Sequence, residues 1–209
     1  EAYALLDRLG VPRASAKAIA ANAPDASGLD YPVAVKVLSA DIPHKTDVGG
    51  VVLGVNDDGE LVRAIDGIRR SVAERLPGAK VERVLAQAMA KGVGEVLVGY
   101  RLDAQVGPIV MLAAGGVLTE IYRDRSLRLA PVDLDTARDM IAEVKALAAL
   151  AGYRGKAAGD LEALARAIVA LSQLALVDDP VVAEAEMNPV IVREAGQGVV
   201  AVDALVRLR

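Results

Sequence analysis

Cysteine, phenylalanine and tryptophan are absent from this 209-residue sequence, and histidine occurs once, at His44. Without cysteine there is no disulfide framework, no thiolate metal site and no thiol nucleophile. Five tyrosines are the only aromatics, so base stacking on exposed rings is not an expected binding mode, and the core has to be built from Val, Leu, Ile, Ala and Met. No apolar run approaches the roughly 18 residues of a membrane span, and nothing at the N-terminus reads as a signal peptide. A cytoplasmic protein with no membrane partner is expected. Lys and Arg are scattered and the formal net charge is −4, which argues against a broad nucleic-acid surface while leaving room for a compact phosphate pocket.

What is present describes a globular chain. Hydrophobic residues make up 54% and charged residues 25%, enough apolar content for a buried core and too much for disorder. The sequence reads as helix from Glu1 without an initiator Met, which suggests a piece of something longer.

Glu1 to Leu9 reads as a short helix ended by Gly10, followed by an extended stretch from Val11-Pro12 and a polar loop from Ala21 to Asp30. Tyr31 to Leu38 and Val51 to Val55 read as strands separated by a turn-rich segment. A helix over Glu60 to Arg75 and a strand over Val81 to Met89 follow. Glu95 to Leu102 and Pro108 to Ala113 read as paired strands, while Val117 to Arg128 gives no clear signal. Asp135 to Leu150, ended by Gly152, and Leu161 to Leu176, capped by Asp160, read as helices. Val182 to Val192 and Val199 to Val206 read as a closing hairpin. The order lacks regular βαβ repetition, so α+β lobes are favoured over a doubly wound sheet.

Four places concentrate functional groups. On the strand Val33-Ala34-Val35-Lys36-Val37, alternation puts the valines on one face and Lys36 on the other; it reads either as a lysine snorkelling from a sheet edge or as a phosphate ligand. The segment Asp41 to Gly50 carries His44, which reads as a surface residue in isolation and as a phosphoryl acceptor in the company of Lys45, two carboxylates and a glycine pair. In the hairpin, Glu184, Glu186 and Asn188 share a face, and a turn centred between Ala195 and Gly196 puts Asn188 opposite Asp203, with Cβ atoms about 5 Å apart. Such oxygens suit Mg²⁺, or form a solvated edge. Gly115 and Gly116 permit close backbone approach, as an anion cradle or a plain turn. Glu95 and Gln87 read as acceptors for a ribose or as ordinary strand residues.

Taken together and in order, Val35-Lys36-Val37, Asp41 to Val51, Gly94 to Gly99, Gly115-Gly116 with Glu120 and Asp124, Arg128 to Pro131, Gly152 to Gly155 and Glu186 to Pro189 resemble the ATP-grasp domain of ADP-forming acyl-CoA synthetases, including acetate-CoA ligases. More distantly they resemble the nucleotide-binding subunit of succinyl-CoA synthetase. The resemblance covers the chain and implies an ATP-grasp fold over 1–209, with two α/β lobes enclosing a nucleotide cleft: a leading helix and linker over 1–30, an N-terminal lobe over 31–92 with a phosphohistidine loop at 39–50, and a C-terminal lobe over 93–209. It implies ATP/ADP and Mg²⁺ as cofactors, with Lys36 and Lys45 near the phosphates, Gln87 and Glu95 at the adenosine end, Gly115 and Gly116 beside the phosphates, and Glu186, Asn188 and Asp203 at the metal. His44 would carry the phosphoryl group, with Gly49 and Gly50 as a hinge. Ala113-Ala114 departs from relatives that often carry another glycine there.

The resemblance further implies partners that this sequence lacks, CoA-binding and ligase domains through which an acyl-CoA or carboxylic acid is reached; a homo-oligomer is also open. Two other readings compete: a non-catalytic regulatory nucleotide-binding module, such as that attached to some lysine acetyltransferases, and a purely structural lobe. Retention of His44 weighs against the first, and the structural lobe would need no metal ligands.

Overall fold

The computed structural model describes residues 2–39, 41–42, 45–116, 124–152, 154–177 and 182–209. They divide into two compact units, one made of residues 14–89 and the other of residues 1–13 and 90–209.

The smaller unit is a four-stranded antiparallel sheet in the order β1-β4-β2-β3, from β1 (Ala16–Ala20), β2 (Val33–Val37), β3 (Val51–Val55) and β4 (Arg83–Ala88). One helix, α2 (Asp58–Arg75), covers one face. Its Leu61, Ala64, Ile65, Ile68 and Val72 repeat at helical spacing and meet Val33, Val35, Val37, Val84 and Ala86 from the sheet in one core. The helix starts where Asp57 accepts the Glu60 amide at 2.7 Å, while the Glu60 carboxylate accepts from the Asn56 amide at 2.8 Å, a reciprocal capping arrangement.

The larger unit carries a six-stranded sheet in the order β10-β8-β5-β6-β7, with β9 also on β8. Its strands are β5 (Gly94–Asp103), β6 (Gly107–Ala114), β7 (Arg125–Leu129), β8 (Val182–Val192), β9 (Val199–Ala201) and β10 (Ala204–Leu208). Helices α3 (Leu134–Glu143) and α4 (Leu161–Ser172) bury Met140, Leu164, Ile168 and Leu171 against Val96, Val98, Tyr100, Val110 and Leu112. Glu143 at the end of α3 accepts from Ser126 Oγ at 2.6 Å and from Arg128, tying that helix to β7. No helix among the described residues is long and apolar enough to cross a membrane.

Two expectations are corrected, and one unassigned stretch is filled. Residues 1–30 are not a leading helix and linker, because each half is taken up by a different unit. The N-terminal helix α1 (Ala2–Arg8) buries Leu6 in the larger core, Tyr3 donates to the Val202 carbonyl at 3.2 Å, and Ala201 donates to the Pro12 carbonyl at 2.8 Å; β1, by contrast, pairs with β4. The expected helix over 135–150 breaks at Val144, which is extended. The Asp124 carboxylate accepts the amides of Lys145 and Ala146 at 3.1 and 2.7 Å, starting a separate 3₁₀ helix, Lys145–Ala151. In the unassigned stretch, β7 supplies an edge strand, and 117–123 lie outside the described residues.

Candidate functional site

Each unit leaves one face of its sheet free of its own helices, and the sequence-selected residues sit on those faces. In the smaller unit, Lys36 pairs with Leu85 and Gln87 with Ala34, so Lys36 and Gln87 share the face opposite α2 as diagonal neighbours, about 7–8 Å apart at Cα. Lys36 is only 6% exposed and Gln87 fully buried. β2 lies between β4 and β3 and is not an edge strand, so Lys36 is not a lysine snorkelling from a sheet edge.

His44 lies outside the described residues, but its flanks are anchored. Ile42 is buried in the core beneath α2. From Lys45 to Gly50 the chain makes one tight turn closed by Gly49 donating to the Thr46 carbonyl at 3.0 Å and Gly50 to the Lys45 carbonyl at 2.7 Å, with Gly49 at φ +65°. This is a helix-ending Schellman arrangement on a single turn. The last turns of α2 hold it: Ser71 Oγ donates to the Val48 carbonyl at 3.0 Å and Arg75 Nη1 to the Asp47 carbonyl at 3.0 Å.

The two glycines expected as a hinge, Gly49 and Gly50, both lie in close contact in this turn. A Cβ on Gly49 would lie 2.3 Å from Ser71 Oγ, and one on Gly50 would lie 2.6 Å from Val37 Cγ1 and 2.8 Å from the Lys45 carbonyl oxygen. The glycines are there because backbone and side chains approach too closely for anything larger.

In the larger unit, the expected hairpin register is realised. Val190 pairs with Ala201 and Met187 with Ala204. Between them the Asn188 amide donates to the Asp203 carbonyl at 3.1 Å, and the Val202 amide to the Pro189 carbonyl at 2.9 Å. On the other side of β8, Val96 pairs with Val190 and Val98 with Met187, so Asn188 and Pro189 together oppose Leu97 alone. Proline has no amide for the ladder and belongs at such a bulge; Asn188 keeps the face of Glu186, and the extra residue lets Val190 return to the core that Met187 occupies. Asn188 Nδ2 donates to Glu186 Oε1 at 3.1 Å, and Asp203 Oδ1 accepts the Ala204 amide at 3.0 Å.

Glu186, Asn188 and Asp203 are thus brought together as two carboxylates and an amide. No group of three His, Cys, Asp or Glu side chains capable of holding a metal occurs among the described residues. Hard oxygens in this number fit Mg²⁺, which takes few protein ligands and fills its shell with water and phosphate.

Glu95 and Gly115 also meet. The Gly115 amide donates to the Glu95 carbonyl at 2.8 Å, and a Cβ on Gly115 would lie 2.6 Å from that carbonyl carbon and oxygen. Strand approach therefore accounts for Gly115 without an anion. Gly116, at φ +96°, closes the described part of this segment, so the expected cradle continues outside it. Ser71, Arg75 and Ile42 escaped the sequence reading. Serine and arginine four apart on a helix carry no sign of which loop they will meet.

The buried lysine of the smaller unit suits a phosphate and the oxygen cluster of the larger unit a divalent cation, and family comparison identifies the fold. An ATP-grasp domain matches residues 1–208, and the chain belongs to that family. It is 43% identical over 175 residues to acetate–CoA ligase (ADP-forming) I of Archaeoglobus fulgidus, a match covering 84% of this chain and 25% of that protein. It is 38% identical over 208 residues to the beta subunit of acetate–CoA ligase (ADP-forming) I of Pyrococcus furiosus, covering 98% of this chain and 88% of that subunit. A solved structure of the dinucleotide forming acetyl-coenzyme A synthetase 1 of Ca. Korarchaeum cryptofilum superposes with a TM-score of 0.82 at 32% identity, covering 100% of this chain and 91% of that one. That structure holds coenzyme A and Mg-AMPPCP, with its phosphohistidine segment pointing towards the nucleotide binding site. The chain spans a quarter of the length of the Archaeoglobus relative but nearly all of the Pyrococcus subunit.

Proposed function

We propose that this chain is the nucleotide-binding, phosphoryl-relay part of an ADP-forming acyl-CoA synthetase. The observation that carries the reading is the burial of Lys36 and Gln87 side by side on one sheet face, in the unit whose sequence between β2 and β3 contains the sole histidine.

The reaction runs in three balanced steps. A ring nitrogen of neutral His44 attacks the terminal phosphorus of ATP, the P–N bond forms as the P–O bond breaks, and ADP leaves. The phosphoryl group then passes to an acyl carboxylate, and the acyl phosphate is opened by the CoA thiol on CoA-binding and ligase domains outside this chain. In reverse, acyl-CoA, ADP and phosphate give acid, CoA and ATP.

Lys36 and Lys45 draw charge from the phosphates, Gln87 and Glu95 hold the adenosine end, and Gly116, with Gly115, admits the phosphates close to the backbone. Glu186, Asn188 and Asp203 would hold Mg²⁺, which would supply neutralisation of phosphate charge, the main requirement of such transfers.

The test is incubation of the full-length enzyme with γ-labelled ATP and Mg²⁺ beside His44→Ala. An acid-labile, base-stable label that vanishes in the variant supports the relay. Nucleotide binding by full-length enzyme that takes no label would leave only a regulatory module.

A further inference from the structure

β9 ends at Ala201 and β10 begins at Ala204, so Val202 and Asp203 form a break between two strands that pair with the same β8. The register of β8 on β9 pairs Ile191 with Val200 and Val190 with Ala201, and one further step sets Pro189 opposite Val202. The Val202 amide donates to the Pro189 carbonyl at 2.9 Å. At such a pair an antiparallel ladder exchanges two bonds, one in each direction, and the return bond would run from the amide of residue 189 to the Val202 carbonyl. Proline has no amide to give. In its place Tyr3 Oη, on α1, donates to the Val202 carbonyl at 3.2 Å. That carbonyl belongs to the peptide unit that carries the nitrogen of Asp203.

Tyr3 is itself held. Asp7, one turn further along α1, takes the Arg13 guanidinium bidentately, Nε on Oδ1 at 2.8 Å and Nη2 on Oδ2 at 3.0 Å. The guanidinium stands over the Tyr3 ring, 5.1 Å from its centroid, a cation–π contact. Arg13 also bridges to Ala201, whose amide donates to the Pro12 carbonyl at 2.8 Å. Residues 12–13 and the start of α1 therefore grip two consecutive residues, Ala201 and Val202, just ahead of Asp203.

From this geometry we infer that Tyr3 is a positioning residue for the divalent cation: by supplying the donor that Pro189 lacks, it fixes the peptide before Asp203 and so the placement of that carboxylate beside Asn188 and Glu186. The inference rests on the metal-site reading above. Placement matters more for one cation than for another. Mg²⁺ demands near-ideal octahedral geometry with oxygens at about 2.0–2.1 Å, whereas Ca²⁺ accepts flexible shells at about 2.3–2.6 Å. A braced corner favours Mg²⁺, and a loosened one loses Mg²⁺ first.

The experiment uses the full-length enzyme with Tyr3→Phe, which removes only the hydroxyl. Ile168→Val serves as the control, because it loosens the core of the same unit away from the corner. The half-saturating Mg²⁺ and Ca²⁺ concentrations are read from binding of a non-hydrolysable ATP analogue. Hydrogen exchange at the Val202 amide is read without metal or nucleotide, and urea midpoints are recorded for all three proteins. Tyr3→Phe is expected to need about fivefold more Mg²⁺, the order expected from one modest hydrogen bond, with Ca²⁺ changed by less than about twofold. Its Val202 amide should exchange faster while the amides of α4 keep their rates, the sign of a local opening. Ile168→Val should lower the urea midpoint and keep the wild-type ratio of Mg²⁺ to Ca²⁺.

A Mg²⁺-dependent wild type with a Tyr3→Phe variant that saturates at the same Mg²⁺ concentration overturns the brace and leaves the metal site standing. Equal losses for Mg²⁺ and Ca²⁺, in step with a lower urea midpoint, assign the hydroxyl to folding alone and overturn it too. A wild type whose nucleotide binding ignores divalent cations overturns the metal site itself and this inference with it.

Discussion

The backbone amide of Asn188 donates to the carbonyl oxygen of Asp203 at 3.1 Å, so the two candidate metal ligands are set opposite each other by the ladder and not by their own side chains. That separation makes charge and geometry independently testable. Asp203→Asn keeps the backbone bond and an oxygen able to accept from Ala204, and removes only the negative charge. Mg-dependent nucleotide affinity should fall about tenfold or more, the equivalent of one charge-assisted contact. Calorimetric titration with and without Mg²⁺ checks this; equal affinities for variant and wild type in Mg²⁺ would remove Asp203 from the metal site.

Gly115 is predicted to tolerate no side chain. A methyl group there would press on the Glu95 backbone, which cannot move without disturbing β5, and overpacking of this kind costs about 1–3 kcal/mol. Gly115→Ala should lower the urea midpoint accordingly, whereas Gly116→Ala should act through its positive φ alone and cost about 1 kcal/mol. Similar midpoints for Gly115→Ala and wild type would mean that the close approach to Glu95 is not retained in solution.

The elements that were legible in the sequence are those whose signal is local. Leu61, Ile65, Ile68 and Val72 announce α2, and the turn at Ala195-Gly196 sets the pairing of Asn188 with Asp203 because an antiparallel register follows from its turn. What escaped depends on remote partners. Asp124 interrupts the helix over 135–150 from 21 and 22 residues away, β1 is a strand because β4 accepts it, and the role of Gly49 is decided by Ser71. A glycine pair in a sequence does not show which side chain will press against it.

Lys36 is predicted to serve nucleotide binding through its charge. Lys36→Met matches its length without the charge and should lose about tenfold or more in affinity for ATP, with a smaller loss for AMP, which lacks the outer phosphates. Equal losses for ATP and AMP would move Lys36 away from the phosphates.

Asp160 joins the start of α4 to the hairpin that carries the oxygen cluster: Oδ1 accepts the Ala163 amide at 2.9 Å and Oδ2 the Gly198 amide at 2.8 Å. These amides, Ala163 first and Gly198 second, hold its carboxyl below the usual carboxylate range against the opposing effect of burial. A folded-state pKa below the unfolded value of about 3.9 means that the contribution to stability is complete above that value and is lost as pH falls through the folded one. Asparagine offers one acceptor oxygen where aspartate offers two, so Asp160→Asn should be less stable by about 1–2 kcal/mol at pH 7. The gap between the urea midpoints of wild type and variant should narrow below about pH 4, because only the wild type has a charge to lose there. A gap that stays constant down to pH 3 would show that shape, and not the ionised carboxylate, is what ties α4 to the hairpin.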